Sequence, residues 1–171
     1  RYDGLSKLPK DTRWGTFWGA SAAWRLSREK FWTEAPVNEW FNDLRLRASY
    51  ATIGNSALGS DYPYLGTYGA KLVGPMAGIA WNVMGNNNLK WETTETFDIG
   101  LDGALFNNRM TFEIAYWQKN SKDLVLRVPT PPTMGIPNNY YYDNIGKIKN
   151  SGFGLTVGGT IINTKDWNWH S

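Results

Sequence analysis

Residues 97–118 read as a hairpin with one oily face and one charged face, and this alternation narrows the possible folds more than any other feature. Phe97, Ile99, Leu101, Gly103 and Leu105 share one face of the first arm; Met110, Phe112, Ile114 and Tyr116 share the matching face of the second. Phe106-Asn107-Asn108-Arg109 between them reads as a tight turn. The opposite faces carry Asp98, Gly100, Asp102, Arg109, Thr111 and Glu113. The apolar face runs for about nine residues, the length a tilted strand needs to cross a bilayer. An oily face backed by a charged one is the pattern of a transmembrane β-barrel, whose side chains alternate between lipid and a wet lumen.

The chain has 171 residues, 42% of them hydrophobic, yet its mean hydropathy is -0.47. No run approaches the roughly 18 consecutive apolar residues of a membrane-spanning helix. A barrel survives that test because alternation averages to a polar value. Aromatic residues make up 15% of the chain, and barrels need them at both membrane interfaces. There is no cysteine, so disulfides, thiolate metal sites and cysteine nucleophiles are excluded. Eighteen basic residues are scattered among fifteen acidic ones without a run of like charge, so no nucleic-acid stripe is present. His170 is the one histidine, which disfavours a metal site or a Ser-His-Asp triad. The reading is therefore of a non-enzyme with no catalytic residue, metal or cofactor.

The alternation continues elsewhere. Trp14, Thr16, Trp18, Ala20, Ala22, Trp24 and Leu26 share a face, with tryptophan near each end. Ser27 stands where it could cap a short helix over 28–31, which Pro36 would stop. Leu44, Leu46, Ala48 and Tyr50 then oppose Arg45, Arg47 and Ser49, an arrangement that suits a water-filled lumen. Residues 54–90 read as a long irregular loop, and 129–144 as a second. The pattern predicts an all-β chain of about six antiparallel strands: 13–26, 43–53, 91–105, 110–128, 145–162 and 167–171. Connections on one side are 106–109, 163–166 and the longer 27–42; those on the other are the two long loops. That asymmetry matches the periplasmic turns and surface loops of a barrel. The chain opens on Arg1-Tyr2-Asp3-Gly4 without a signal peptide and stops inside an alternation, so 1–171 reads as part of a larger barrel.

Taken in order, several short motifs resemble the SusC/RagA-type TonB-linked outer-membrane proteins. They are Arg13-Trp14-Gly15, Ser21-Ala22-Ala23-Trp24-Arg25-Leu26, Glu29-Lys30-Phe31, Leu44-Arg45-Leu46-Arg47-Ala48-Ser49-Tyr50 and Gly54-Asn55. Asn88-Leu89-Lys90-Trp91-Glu92-Thr93-Thr94, Asp98-Ile99-Gly100-Leu101-Asp102, Asn107-Asn108-Arg109, Lys122-Asp123-Leu124, Asn144-Ile145-Gly146 and Asn150-Ser151-Gly152 follow. Leu5, Leu8, Ala51 and Gly154 depart from the family's usual residues. The resemblance implies a barrel of about 22 strands with a plugged lumen, of which this chain holds about six. It implies residence in the outer membrane of a Gram-negative bacterium and contact with its lipids. It also implies uptake of glycan oligosaccharides or peptides, energy from TonB through an N-terminal part, and a SusD-like surface lipoprotein as partner. The alternative is a soluble carbohydrate-binding β-sandwich module.

Three groups of residues follow as candidates. Arg45, Arg47, Asp98, Asp102 and Glu113 are expected to face the lumen or plug. With Phe106 opposite Arg109, Asp102 falls opposite Glu113. Two facing carboxylates repel, so they call for a basic plug residue or a shared proton, or else for two well-solvated groups leaning apart. Trp14, Trp18, Trp24 and Tyr116 are candidates for the membrane belt. The loop aromatics Tyr62, Tyr64, Tyr68, Trp81, Tyr140, Tyr141 and Tyr142 could stack on sugar rings, or could pack the long loops together.

Overall fold

The computed structural model describes residues 1–36, 40–59, 61–163 and 168–170. Six strands form one antiparallel sheet: β3 (Gly19–Arg25), β4 (Phe41–Asn55), β7 (Glu92–Leu105), β8 (Met110–Pro129), β9 (Tyr140–Asn163) and β10 (Asn168–His170). Their order in the sheet is β10-β9-β8-β7-β4-β3, each beside its predecessor in the chain apart from one inserted hairpin. Such a meander is the topology of an up-and-down barrel wall. Two small sheets accompany it, β1 (Tyr2–Gly4) with β2 (Trp14–Thr16), and β5 (Thr67–Val73) with β6 (Met76–Val83). A 3-10 turn over Leu26–Arg28 and a four-residue helix α1 (Lys30–Thr33) link β3 to β4. No helix among the described residues is long and apolar enough to cross a membrane, which says nothing of strands.

The chain divides into two compact units. One comprises Arg1–Trp18, Thr52–Glu95 and Asn120–Ile148. It holds a closed core of Leu8, Phe17, Leu58, Leu89 and Trp91, with Leu8 and Leu89 fully buried. Leu8, one of the family departures, is thus a core residue. Polar ties fix the backbone around this core. The Trp91 indole donates to the Arg13 carbonyl at 3.0 Å, and the Thr12 hydroxyl donates to the Leu89 carbonyl. Asn144 accepts from the Lys90 N–H at 2.9 Å, and its amide nitrogen donates to the carbonyls of Lys90 at 2.9 Å and Asp123 at 2.6 Å.

The other unit comprises Gly19–Ala51, Thr96–Lys119 and the described residues from Lys149 onward. It is a single-layer wall. In the β3–β4 register Ala20 faces Tyr50, Ala22 faces Ala48 and Trp24 faces Leu46, while Ala23 faces Arg47 and Arg25 faces Arg45. Apolar side chains therefore line up on one face and charges on the other, as the alternation requires. On the apolar face of β9, Phe153, Leu155 and Val157 are 83%, 70% and 53% exposed. A two-sheet sandwich would bury these residues, so the soluble-sandwich alternative does not describe this wall.

At the β7–β8 turn Phe106, Asn107 and Asn108 all take left-handed backbone angles, φ 54, 57 and 61. Asparagine tolerates that region well, and Asn42 ties the turn by accepting from the Asn107 N–H at 2.5 Å. The Phe112 ring lies over Gly103, as the hairpin register requires. Farther up, Thr94 and Ser121 hydroxyls meet at 3.0 Å. Asp123 then takes φ 57 within β8, and beyond it Glu92 accepts from the Val125 N–H at 2.7 Å.

Four expectations change in detail. The first strand does not run unbroken from 13 to 26: Phe17 is buried with its ring over Gly15 and Gly54, and Trp14–Thr16 pairs with β1 instead. The segment 54–90 is not wholly irregular. Gly74, with φ +64, and Pro75 turn β5 into β6, a two-residue hairpin loop with glycine leading. The strand β9 starts at Tyr140 rather than 145, so Tyr140, Tyr141 and Tyr142 lie on a strand. Ser27 caps no helix; its hydroxyl donates to Asp43 at 2.6 Å. The expected turn 163–166 lies in part outside the described residues, as does the His170 side chain.

Candidate functional site

The charged face of the wall carries one connected network. Arg25 on β3 pairs with Asp43 on β4 at 3.4 Å. Arg45 on β4 reaches Asp102 on β7, with Nη2 to Oδ2 at 2.6 Å and Nε to the same oxygen at 3.0 Å. Arg47 stands between Asp102, at 3.5 Å, and Glu113 on β8, to which its Nη2 donates. Register explains the pattern: β3 and β4 place Arg25 directly opposite Arg45, and Asp43 takes up the first while Asp102 takes up the second. Gly100 is part of the device, because a Cβ there would fall on the Arg47 guanidinium.

The Asp102–Glu113 repulsion is therefore answered within the chain. Arg45 and Arg47, from the strand next to β7, pair with both carboxylates. These groups border an open hollow of about 400 Å³ that also includes Thr111 and Thr156. Asp98 shares a second hollow of about 320 Å³ with Arg45, Arg47 and Ser49. It has no ion pair among the described residues. Each ion pair is partly exposed, so solvent screens it and its contribution to stability is small. Among the described residues no group of histidines and carboxylates is placed to hold a metal.

Most of the seven loop aromatics pair with one another. Tyr68 stacks on Trp81 across the β5–β6 hairpin at 4.0 Å. Tyr62 and Tyr64 meet at 6.5 Å, and Tyr140 and Tyr142 meet edge to face at 5.7 Å. Tyr64 and Tyr142 also pack against the closed core. Tyr141 forms an isolated parallel bridge with Met84. Of the belt candidates, Trp24 is exposed on β3, donates to Glu29 at 3.0 Å and lies 6.4 Å from Phe31. Tyr116 tilts against Phe153 at 4.9 Å. Trp18 is exposed at the foot of β3, and Trp14 stacks on Tyr2 in the separate β1–β2 sheet.

Sequence reasoning missed several participants. Arg25 and Asp43 belong to the network, and the signal was available: two arginines facing each other across β3 and β4 require an acid nearby. Glu92 is almost fully buried, with its two oxygens taken by Asn55 at 2.6 Å and the Val125 N–H. Arg127 lies over the Tyr140 ring at 4.7 Å and the Tyr142 ring at 5.9 Å. The Tyr142 phenol first, and then Tyr140, raise its pKa above the ordinary arginine value. No local motif announces that contact, since the partners lie on different strands.

Comparison with known proteins agrees with this architecture along the whole chain. The family described as "TonB dependent receptor-like, beta-barrel" matches residues 1–170. TonB-dependent receptor P26 of Formosa agariphila is 34% identical over 177 residues, which cover 100% of this chain and 17% of that protein. TonB-dependent receptor SusC of Bacteroides thetaiotaomicron is 32% identical over 176 residues, covering 99% of this chain and 17% of SusC. The solved RagAB peptide importer in its closed-closed state superposes with a TM-score of 0.80 at 30% identity, over 99% of this chain and 18% of the matched one. This chain thus spans about a sixth of the length of these relatives. Its six-stranded sheet is a piece of their barrel wall, and the chain belongs to the TonB-dependent receptor β-barrel family, of the SusC/RagA type.

Proposed function

We propose that this chain is a wall segment of an outer-membrane importer that takes up glycan oligosaccharides or peptides, drawing energy from TonB and working with a SusD-like surface lipoprotein. One observation carries the reading: a sheet whose one face is exposed and apolar and whose other face carries a self-compensated charge network, in a chain that matches SusC and RagA from end to end. In this reading Arg45, Arg47, Asp98, Asp102 and Glu113 face the lumen. Trp18, Trp24 and Tyr116 lie at the membrane interfaces, with Trp14 beyond the wall strand. The β5–β6 hairpin and the β8–β9 connection stand on the cargo side, where Tyr62, Tyr64, Tyr68, Trp81, Tyr140, Tyr141 and Tyr142 form or support the cargo surface. The reading assigns no catalytic step.

Uptake tests it. Cells carrying the full-length receptor gene, cells lacking it and cells lacking TonB are compared for accumulation of labelled oligosaccharides and oligopeptides. Accumulation that requires both the receptor and TonB supports the proposal. Equal accumulation in all three strains, for every cargo of both classes, refutes it.

A further inference from the structure

We propose that Arg127, Tyr140 and Tyr142 form a carboxylate-binding subsite for the cargo; the inference rests on the importer reading and names a chemical class within it. The guanidinium carbon lies 4.7 Å from the centre of one ring and 5.9 Å from the other, and the rings brace each other edge to face. An arginine held over ring faces keeps its in-plane N–H groups available at its edges. Its charge stays unneutralised, since Arg127 has no ion pair among the described residues. The side chain is exposed rather than sealed in the core.

The surroundings make a site of it. Arg127 and Tyr142 line a cavity of about 380 Å³ whose wall includes Leu58, Pro63 and Val125. That volume lies within the range of small-ligand pockets, roughly 300–1,000 Å³. Glu92 also lines it, but both of its oxygens are engaged by Asn55 and the Val125 amide. That carboxylate, on β7, ties the end of β4 to β8. A cation with a planar fork of donors, set beside an apolar wall, matches a carboxylate attached to a carbon skeleton. Two cargo types present that group: a peptide through its C-terminus, and an acidic glycan through its uronic acids.

The experiment uses the purified full-length receptor and calorimetric titration with two matched pairs of probes. One pair is an N-acetylated hexa-alanine as free acid and as C-terminal amide. The other is tri-galacturonic acid and its methyl ester. The acid member of one pair is expected to bind about tenfold or more tightly than its neutral twin. A preference in the peptide pair identifies the C-terminus, and one in the sugar pair identifies the uronate. Arg127→Gln abolishes the preference. Arg127→Lys keeps the charge without the fork and retains part of it. Tyr140→Leu removes one brace and also weakens it. Heat-modified gel migration shows that each variant barrel is folded. Equal affinity within both pairs, including no binding by any probe, overturns the proposal, and so does a preference that survives Arg127→Gln. TonB-dependent uptake that ignores the acid group would sink this inference alone and leave the importer standing.

Discussion

Leu89→Ala should loosen one unit of this chain selectively. Leu89 is fully buried against Leu8, Phe17, Leu58 and Trp91. Truncating a buried leucine costs about 2–5 kcal/mol, with the larger values where the surroundings cannot collapse. Here they are pinned. The Leu89 carbonyl accepts from Thr12, and its neighbour Lys90 is clasped by Asn144 through both its N–H and its carbonyl. A cost of about 3 kcal/mol is therefore expected. At about 1.36 kcal/mol per tenfold, local opening becomes on the order of a hundredfold more frequent. Amide hydrogen exchange of the full-length receptor reads this directly, since local opening is what it reports. Peptides spanning 86–91 should exchange on the order of a hundredfold faster, while those spanning 97–105 should not change. Leu72→Ala, at a side chain 76% exposed on β5, is the control and should have no effect. Acceleration of less than about fivefold, or equal acceleration in both units, would refute the claim that this cluster is a closed and locally cooperative core.

Two glycines offer a paired test. A Cβ at Gly54 would fall in the Phe17 ring, whereas one at Gly154 would meet nothing within 4 Å. Gly54→Ala should cost about 1–3 kcal/mol by the same exchange measurement, and Gly154→Ala should change nothing. Single spin labels at Leu155 and Ile114 should collide with oxygen in the bilayer, and labels at Thr156 and Glu113 with a water-soluble nickel chelate. The opposite pattern would reverse the two faces of the wall. In the network, a double-mutant cycle of Arg47→Met with Glu113→Gln, read by urea unfolding in lipid vesicles, should give a coupling of about 1 kcal/mol or less, shrinking as salt rises.

Strand alternation was the most legible level of this chain. Leu44 through Tyr50 and Phe97 through Tyr116 betray their faces because a single-layer wall leaves each residue only two environments. The Phe106–Arg109 turn was readable from its two asparagines for the same local reason. What escaped lay in longer-range choices. Nothing near Trp14 says that it joins Tyr2; the decision is made by Phe17 packing over Gly54, far away in sequence. The β5–β6 hairpin is hidden because Gly74-Pro75 suits an irregular loop as well as a two-residue turn. The site was half legible. Asp102 opposite Glu113 followed from counting, but the arginines that answer them come from β4, and the order β8-β7-β4 had to be seen before Arg47 could be placed between the two acids.

That network has a mechanical meaning. Its links run from β3 to β4 to β7 to β8, across the strands rather than along them. In a closed barrel this direction is the circumference, so the pairs act as segments of a hoop that resists widening. The same pairing leaves the three arginines and three acids of this network matched to each other. With the face turned to the lumen as proposed, a body moving past this network meets charges that already hold one another, and the wall there behaves less like a lock than like a bearing.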